Sequence, residues 1–376
     1  MTTTSVNTDF PGYEILAEIG RSNARVVKAR HIASGNLVAI KHFAIDTDAE
    51  TLARFAREAD IMTSINHPNV VKIREVNLIA ALPFIAMDYV EGGDLRSLMK
   101  QRGRLDIPTT VRLGLQMTEA LNAIHPAGIV HRDIKPGNIL YRTLTNGELH
   151  FLLTDFGIAR LQDQTNFTKT GQSLMTYDYA SPEQFDDPKG VGTASDYYSL
   201  GVVLYECLTG KVPFSVADTG LGTFIGRVMR EAPLAPTLPL NTNLPASLNT
   251  LLLSLLAKKP VERLHEAHEL ELLLYQANVE RLQRNLSVMV VAPEVVVVEE
   301  GKMTMEKPVS EQKSNEANES NSFFFTLVII ACVVTSLLVW DNSKRTKIQE
   351  TTTTVDSAAS MMGDSASSTM MYDTAR

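Results

Sequence analysis

The chain has 376 residues, 44% of them hydrophobic, enough for one large domain or two ordinary ones around a buried core. Lysine and arginine number 35 against 43 acidic residues, a formal net charge of −8, which argues against a nucleic-acid partner because such proteins carry a basic face. The two cysteines, Cys207 and Cys332, sit in separate apolar runs without metal-ligand spacing and fit a reducing cytosol better than a disulfide framework.

Residues 1–12 have no basic flank followed by an apolar stretch, so they do not read as a signal peptide. From Tyr13 to about residue 90 apolar and polar positions alternate, which predicts strands, interrupted by one helix over "TLARFAREADIMTSI" that "NHPN" ends. "LVAIKHF" and "PFIAMDYV" read as strands, and "EGGDL" as a turn opening a helix. Beyond it the pattern is mostly helical. "DYYSLGVVLYECLTG" is apolar nearly all round and predicts a buried central helix closed by Gly210. "LNTLLLSLLAKKP" and "VERLHEAHELELLLYQANVERL" predict two more helices, and "VMVVAPEVVVVEE" reads as a short β-prone piece.

The domain expected over 13–280 gives way at 281–322 to a linker rich in Glu, Ser and Asn. Phe323–Trp340 follows without a charge. Its eighteen residues make a helix of about 27 Å against a hydrocarbon core of about 30 Å. We read 323–340 as a transmembrane helix with Phe323 and Trp340 at the two interfaces, and 341–376 as a short disordered tail.

The chemistry-bearing segment is "VHRDIKPGNIL". Asp133 can accept a proton from a hydroxyl, Lys135 can neutralise a moving phosphoryl group, and Asn138 offers an oxygen to a divalent cation. "FLLTDFGIAR" then places Asp155 at a strand end beside Gly157, which suits metal coordination. A base, charge neutralisation and metal ions are the parts phosphoryl transfer needs. Lys41 stands on its strand pointing away from Ile40 and His42. By itself it reads as a surface lysine, but Glu58 on the next helix is its natural partner, and such a pair would aim the lysine at phosphate oxygens.

Taken together, "VAIK" (Val38–Lys41), Glu58 in "READIM", "MDYVEGGDL", "HRDIKPGN", "DFG", "SPE" (Ser181–Glu183), "DYYSLG" and Arg263 in "KKPVERL" resemble, in order, the eukaryotic-type serine/threonine protein kinases that bacteria attach to their membranes. The resemblance implies an α+β, bilobal fold: a small antiparallel sheet lobe with one helix, then a larger, mainly helical lobe. It implies ATP and magnesium, or manganese in its place. Asp133 would be the catalytic base with Lys135 beside it, and Asn138 and Asp155 the metal ligands. Lys41 would contact the α- and β-phosphates and pair with Glu58. Met87 would stand at the back of the adenine pocket, with Asp88 and Tyr89 offering backbone bonds, Ala39 on the sheet side and Leu140 beneath the ring. Glu183 and Arg263 would form a buried ion pair, and Asp196 would brace the catalytic loop. Lys135 and Thr176 would mark serine/threonine specificity, although Met175 replaces the usual glycine. Arg132 would receive a phosphate placed on the activation segment, with Thr168 and Thr170 preferred over Thr165 and Ser173.

The phosphate-covering loop departs from the family's G-x-G-x-x-G-x-V. It runs from Ile19 through Gly20, Arg21, Ser22, Asn23, Ala24 and Arg25 to Val26 and Val27, and Ser22 takes the second glycine's place. Counting from Gly20 assigns the motif valine to Val27; counting back from Ala29 assigns it to Val26, the register we prefer. Lost glycines weaken the loop's approach to phosphates, but the base, metal and lysine positions are all present.

The resemblance implies protein substrates, a membrane anchor and a homodimer through which one copy phosphorylates another. ATP chemistry would place the kinase domain on the cytoplasmic side, although Lys344, Arg345 and Lys347 after the apolar run weigh mildly the other way against Lys307 and Lys313. Two other readings stay open: a kinase-shaped binding module with a weakened nucleotide site, and a small-molecule phosphotransferase, which the "SPE" element opposes.

Overall fold

The structure is a computed structural model that describes residues 10–21, 25–42, 59–80, 82–155, 174–188, 190–238 and 244–291. The expected membrane run 323–340 and the linker and tail around it lie outside these residues. Among the described residues no helix is long and apolar enough to cross a membrane.

The small lobe is a five-stranded antiparallel sheet of β1 (Tyr13–Arg21), β2 (Arg25–His31), β3 (Leu37–His42), β4 (Ile73–Asn77) and β5 (Phe84–Asp88), in the order β1-β2-β3-β5-β4. Side-chain alternation gives each strand two faces. One face closes a small core of Tyr13, Val27, Ala29, Val38, Ile40, Phe84 and Ala86. Phe10 joins this core and meets Phe84 edge-on at 5.4 Å, so packing begins ahead of residue 13. The other face, with Ile73, Ile85 and Met87, belongs to the main core shared with the larger lobe. Residues 59–64 are helical, the described end of the helix expected after β3.

In the larger lobe the Leu95–Arg102 helix starts where Asp94 accepts a bond from the Ser97 N–H, the turn "EGGDL" announced. A long helix, Ile107–Ile124, and the central helix Thr193–Thr209 pack together, and Gly210 closes the latter in a left-handed conformation at φ 77°. A two-stranded ribbon of β6 (Ile139–Thr143) and β7 (Leu149–Leu153) carries the loop that precedes it to the cleft.

Two expectations about the later helices need correction. After the Ala246–Leu255 helix, Pro260–Glu262 make a single 3-10 turn and residues 263–266 are not helical; the next helix begins at Ala267. Arg263 is extended and buried, because its guanidinium is drawn into the lobe by an ion pair that a helical backbone would not permit. That last helix then runs to Val291, past the boundary placed at residue 280 and through the first residues of the segment read as β-prone.

Candidate active site

The larger lobe holds its key loop, residues 131–138, from the central helix. Asp196, fully buried, accepts bonds from the backbone N–H groups of His131 and Arg132, both at 2.8 Å, and faces His125 Nε2 at 2.9 Å. His131 is fully buried as well. Its Nε2 donates to the Thr154 carbonyl at 2.8 Å, so its Nδ1 is the acceptor for the Asp133 N–H. Arg132 sits at φ 65°, a conformation that non-glycine residues adopt at a cost and that marks functional turns. The turn exposes the Asp133 carboxylate toward the cleft while its backbone stays tied down.

Asp133 receives Lys135 Nζ at 2.9 and 2.7 Å, and Asn138 Nδ2 at 2.9 Å. Both amide hydrogens of Asn138 go to Asp133, one to the carboxylate and one to the carbonyl, so Asn138 Oδ1 is its acceptor atom. The Thr154 N–H donates to the Asn138 carbonyl at 3.0 Å, which sets the loop beside the end of β7. Asp155, at φ 63°, follows Thr154 and pairs with Lys41 Nζ at 2.8 Å across the lobes. Asp133, Lys135, Asn138, Asp155 and Lys41, remote in sequence, thus meet through one chain of bonds. Glu58 lies outside the described residues; the partner described for Lys41 is Asp155.

On the sheet side, Ala39 stands beside Lys41 on the cleft face and pairs with Met87, whose sulfur accepts a weak bond from Thr154 Oγ1 at 3.5 Å. The cross-strand register decides the loop valine. Val26 pairs with Lys41, and directly opposed residues share a face, so Val26 faces the cleft. Val27 pairs with Ile40 and is 1% exposed in the small core, on the face opposite Lys41. Ile19 is exposed and Gly20 pairs with Val26, while the Arg21 backbone pairs with Arg25. Arg25 meets Glu18 at 2.8 Å on the exposed surface. Ser22, Asn23 and Ala24 lie outside the described residues.

Of the backbone groups of Asp88 and Tyr89, expected to bond adenine, the two N–H donors are engaged within the protein. The Asp88 N–H is committed to the Lys72 carbonyl at 2.9 Å and the Tyr89 N–H to the Leu37 carbonyl at 3.4 Å, both part of the sheet's edges. The N–H of Val90, a residue the sequence reading passed over, is taken by no backbone bond among the described residues. Lys28 caps the Tyr89 ring at 4.2 Å, and Leu140 is half-buried against the main core from below.

The activation-segment residues Thr168 and Thr170 lie outside the described residues, and the side chain of Thr176 is not described. Arg132 donates to the Val191 carbonyl at 3.2 Å, and its carbonyl accepts from Gln184 at 3.0 Å. Glu183 and Arg263 form a two-pronged pair at 2.7 and 3.1 Å. Burial alone would raise the Glu183 carboxyl, but the bonds from Arg263 and Ser195 outweigh it and hold it below the usual range. Sequence reasoning left His125, His131, Ser195 and Gln184 without roles; only His131 had a signal, its place in "HRD".

Residues 13–272 match the protein kinase domain family. The chain is 35% identical over 265 residues to a probable serine/threonine-protein kinase of Clostridium perfringens, covering 69% of this chain and 37% of that protein. To the serine/threonine-protein kinase PrkC of Bacillus subtilis it is 36% identical over 263 residues, covering 69% and 39%. It therefore spans less than half the length of either relative. The crystal structure of Rad53 in complex with AMP-PNP is similar in fold, with a TM-score of 0.57, 25% identity, and coverage of 69% of this chain and 64% of that one. A sheet lobe over a helical lobe, a buried aspartate holding the loop of Asp133, and a family match across most of the described residues lead to one conclusion: the chain belongs to the protein kinase family.

Proposed function

We propose that this chain is a serine/threonine protein kinase, transferring the γ-phosphate of ATP to hydroxyls of protein substrates. One observation carries the reading: the bonded series from Lys41 through Asp155, Thr154 and Asn138 to Asp133 gathers a phosphate-binding cation, two oxygen ligands and a base in one cleft. The names of the bacterial relatives support the substrate class.

The donor set fits a hard divalent cation, because Asn138 Oδ1 and the Asp155 carboxylate are oxygen ligands of the kind magnesium and manganese take. Bound there with ATP, such a cation would neutralise the charge of the phosphates. The chain's own residues do the rest. Asn138 and Lys135 fix the Asp133 carboxylate, which takes the proton from the substrate hydroxyl as its oxygen bonds to the γ-phosphorus. The bond from that phosphorus to the bridging oxygen breaks, and ADP leaves. Lys135 lies where it can meet the charge on the moving group, and Lys41 reaches from the sheet to the remaining phosphates.

The same reading includes a membrane anchor over 323–340 with the catalytic domain on the cytoplasmic side, and phosphorylation of Thr168 or Thr170 by a second copy. Its support is the uncharged apolar run and the threonines between Asp155 and Ser181. A protease-protection assay on a tag at the tail tests the orientation.

Activity is tested by incubating the purified chain with labelled ATP, magnesium and a mixed protein substrate. Asp133→Asn should keep nucleotide binding and lose about 10²- to 10⁴-fold of transfer, the usual worth of a positioned base. Equal label on both proteins, with nucleotide still bound, would leave the binding-module reading, which the glycine-poor loop around Ser22 favours.

A further inference from the structure

The Ala267–Val291 helix packs one side on the larger lobe through Leu270, Leu274 and Ala277, all fully buried. The opposite side carries Leu272, Tyr275, Val279, Leu282 and Leu286, each between 50% and 62% exposed. Their spacing is three, four, three, four. That is the repeat of a helix-to-helix seam, not of a helix whose apolar residues serve only its own domain. The stripe takes fifteen residues, Leu272 to Leu286, fourteen helical steps or about 21 Å of helix.

We propose that this stripe is a self-pairing seam through which two copies of this chain join in a short coiled coil. The flanking residues favour a like partner. Gln276 and Gln283 border one edge, Asn278 and Asn285 the other. None of these four is charged; Glu271 borders the Asn278 edge beside Tyr275, and an antiparallel pair centred on Val279 sets it opposite position 287, a serine, and away from its own counterpart. Two heptads are too few to order free peptides, but here the helix is already formed and braced by the lobe, so pairing orders little new chain. A lipid surface is a poorer occupant, since helices that lie on membranes carry a lysine- and arginine-rich rim, and Gln and Asn stand there instead. The chain's own Val295–Val298 run is a poorer one too: four residues extend about 13 Å, short of the stripe. The seam is independent of catalysis; an inactive scaffold would pair as well.

The test uses the full chain in mild detergent with Cys332 replaced by serine. Val279 lies midway along the stripe, seven residues from either end, so it meets its counterpart whether the helices run parallel or antiparallel. Val279→Cys should form a covalent dimer on gentle oxidation, while Val261→Cys, 85% exposed on a different surface, should not. In sedimentation the unmodified chain should be a dimer, and Val279→Glu with Leu282→Glu should weaken association at least about tenfold with an unchanged melting curve. A monomeric unmodified chain, vesicle binding by a monomer through the stripe, or equal cross-linking at both cysteines would overturn the proposal. Should the glutamates disturb folding, the cysteine pair decides alone.

Discussion

Removing the Glu183 carboxylate tests how the larger lobe is held together. Arg263 has no exposed side-chain surface and spends all five guanidinium N–H groups. Two go to Glu183, and the others to the carbonyls of Ala257, Ala194 and Lys258. Glu183→Ala leaves that charge buried without its counter-ion, with two donors unmet, a loss of about 3–5 kcal/mol. Against a total stability of roughly 5–15 kcal/mol, this is a large share. With a urea slope near 3 kcal/mol per molar, the midpoint should fall by about 1 to 1.7 M. Far-UV circular dichroism is the assay, because the only tryptophan, Trp340, lies outside the described domain. Replacing both partners, Glu183→Leu with Arg263→Met, should cost less than the single change, since no charge is then stranded. The pH dependence has a definite sign. The folded Glu183 carboxyl is held below its ordinary value, so its contribution is present above that value and is lost as pH falls through the lower, folded one. Glu183→Gln should flatten that acid limb. A loss under about 1 kcal/mol for Glu183→Ala, the worth of an exposed pair, would refute the reasoning.

Lys258 tests the opposite sign. Its Nζ is buried and has no hydrogen-bond partner among the described residues; it faces the Phe214 ring at 4.5 Å, and its pKa is pushed down to about 8 by burial, reinforced by Arg263. Between that value and the ordinary lysine range the unfolded chain holds more protons, so stability rises with pH there. Lys258→Met should stabilise the chain at pH 7, and the gain should shrink toward pH 10; an equal gain at both would count against a buried charge. Asp196→Asn turns an amide hydrogen toward one of three donors and should cost about 2 kcal/mol or more, with transfer activity falling further than nucleotide binding. An unchanged ratio of the two would deny Asp196 its bracing role. Gly92→Ala drives a Cβ into the Tyr141 carbonyl, and should cost about 1–3 kcal/mol in urea unfolding; a neutral result would mean the backbone there gives way.

Much of the fold was legible because its signals are local. The period of "LVAIKHF" and the apolar run of "PFIAMDYV" mark strands, and Asp94 and Gly210 mark helix ends through bonds to neighbours a few residues away. The order of the motifs around Asp133 and Asp155 identified the family for the same reason: each motif is a short run. Misreadings fell where distant segments compete. "VERLH" has helical composition, yet Arg263 is drawn inward by Glu183, eighty residues earlier.

From the sequence by itself came the two-lobed class, the candidate base and ligands, and the glycine-poor loop. All of these are properties of residue type and short spacing. Only the tertiary structure decided that Val26 and not Val27 faces the cleft, that Asp155 meets Lys41, that Asp196 holds the Asp133 loop, and that an apolar stripe is left bare on the Ala267–Val291 helix. A period of two tells that a strand has two faces but not which neighbour it aligns with. Cross-strand register and ion partners are set by the packing of segments far apart in the chain.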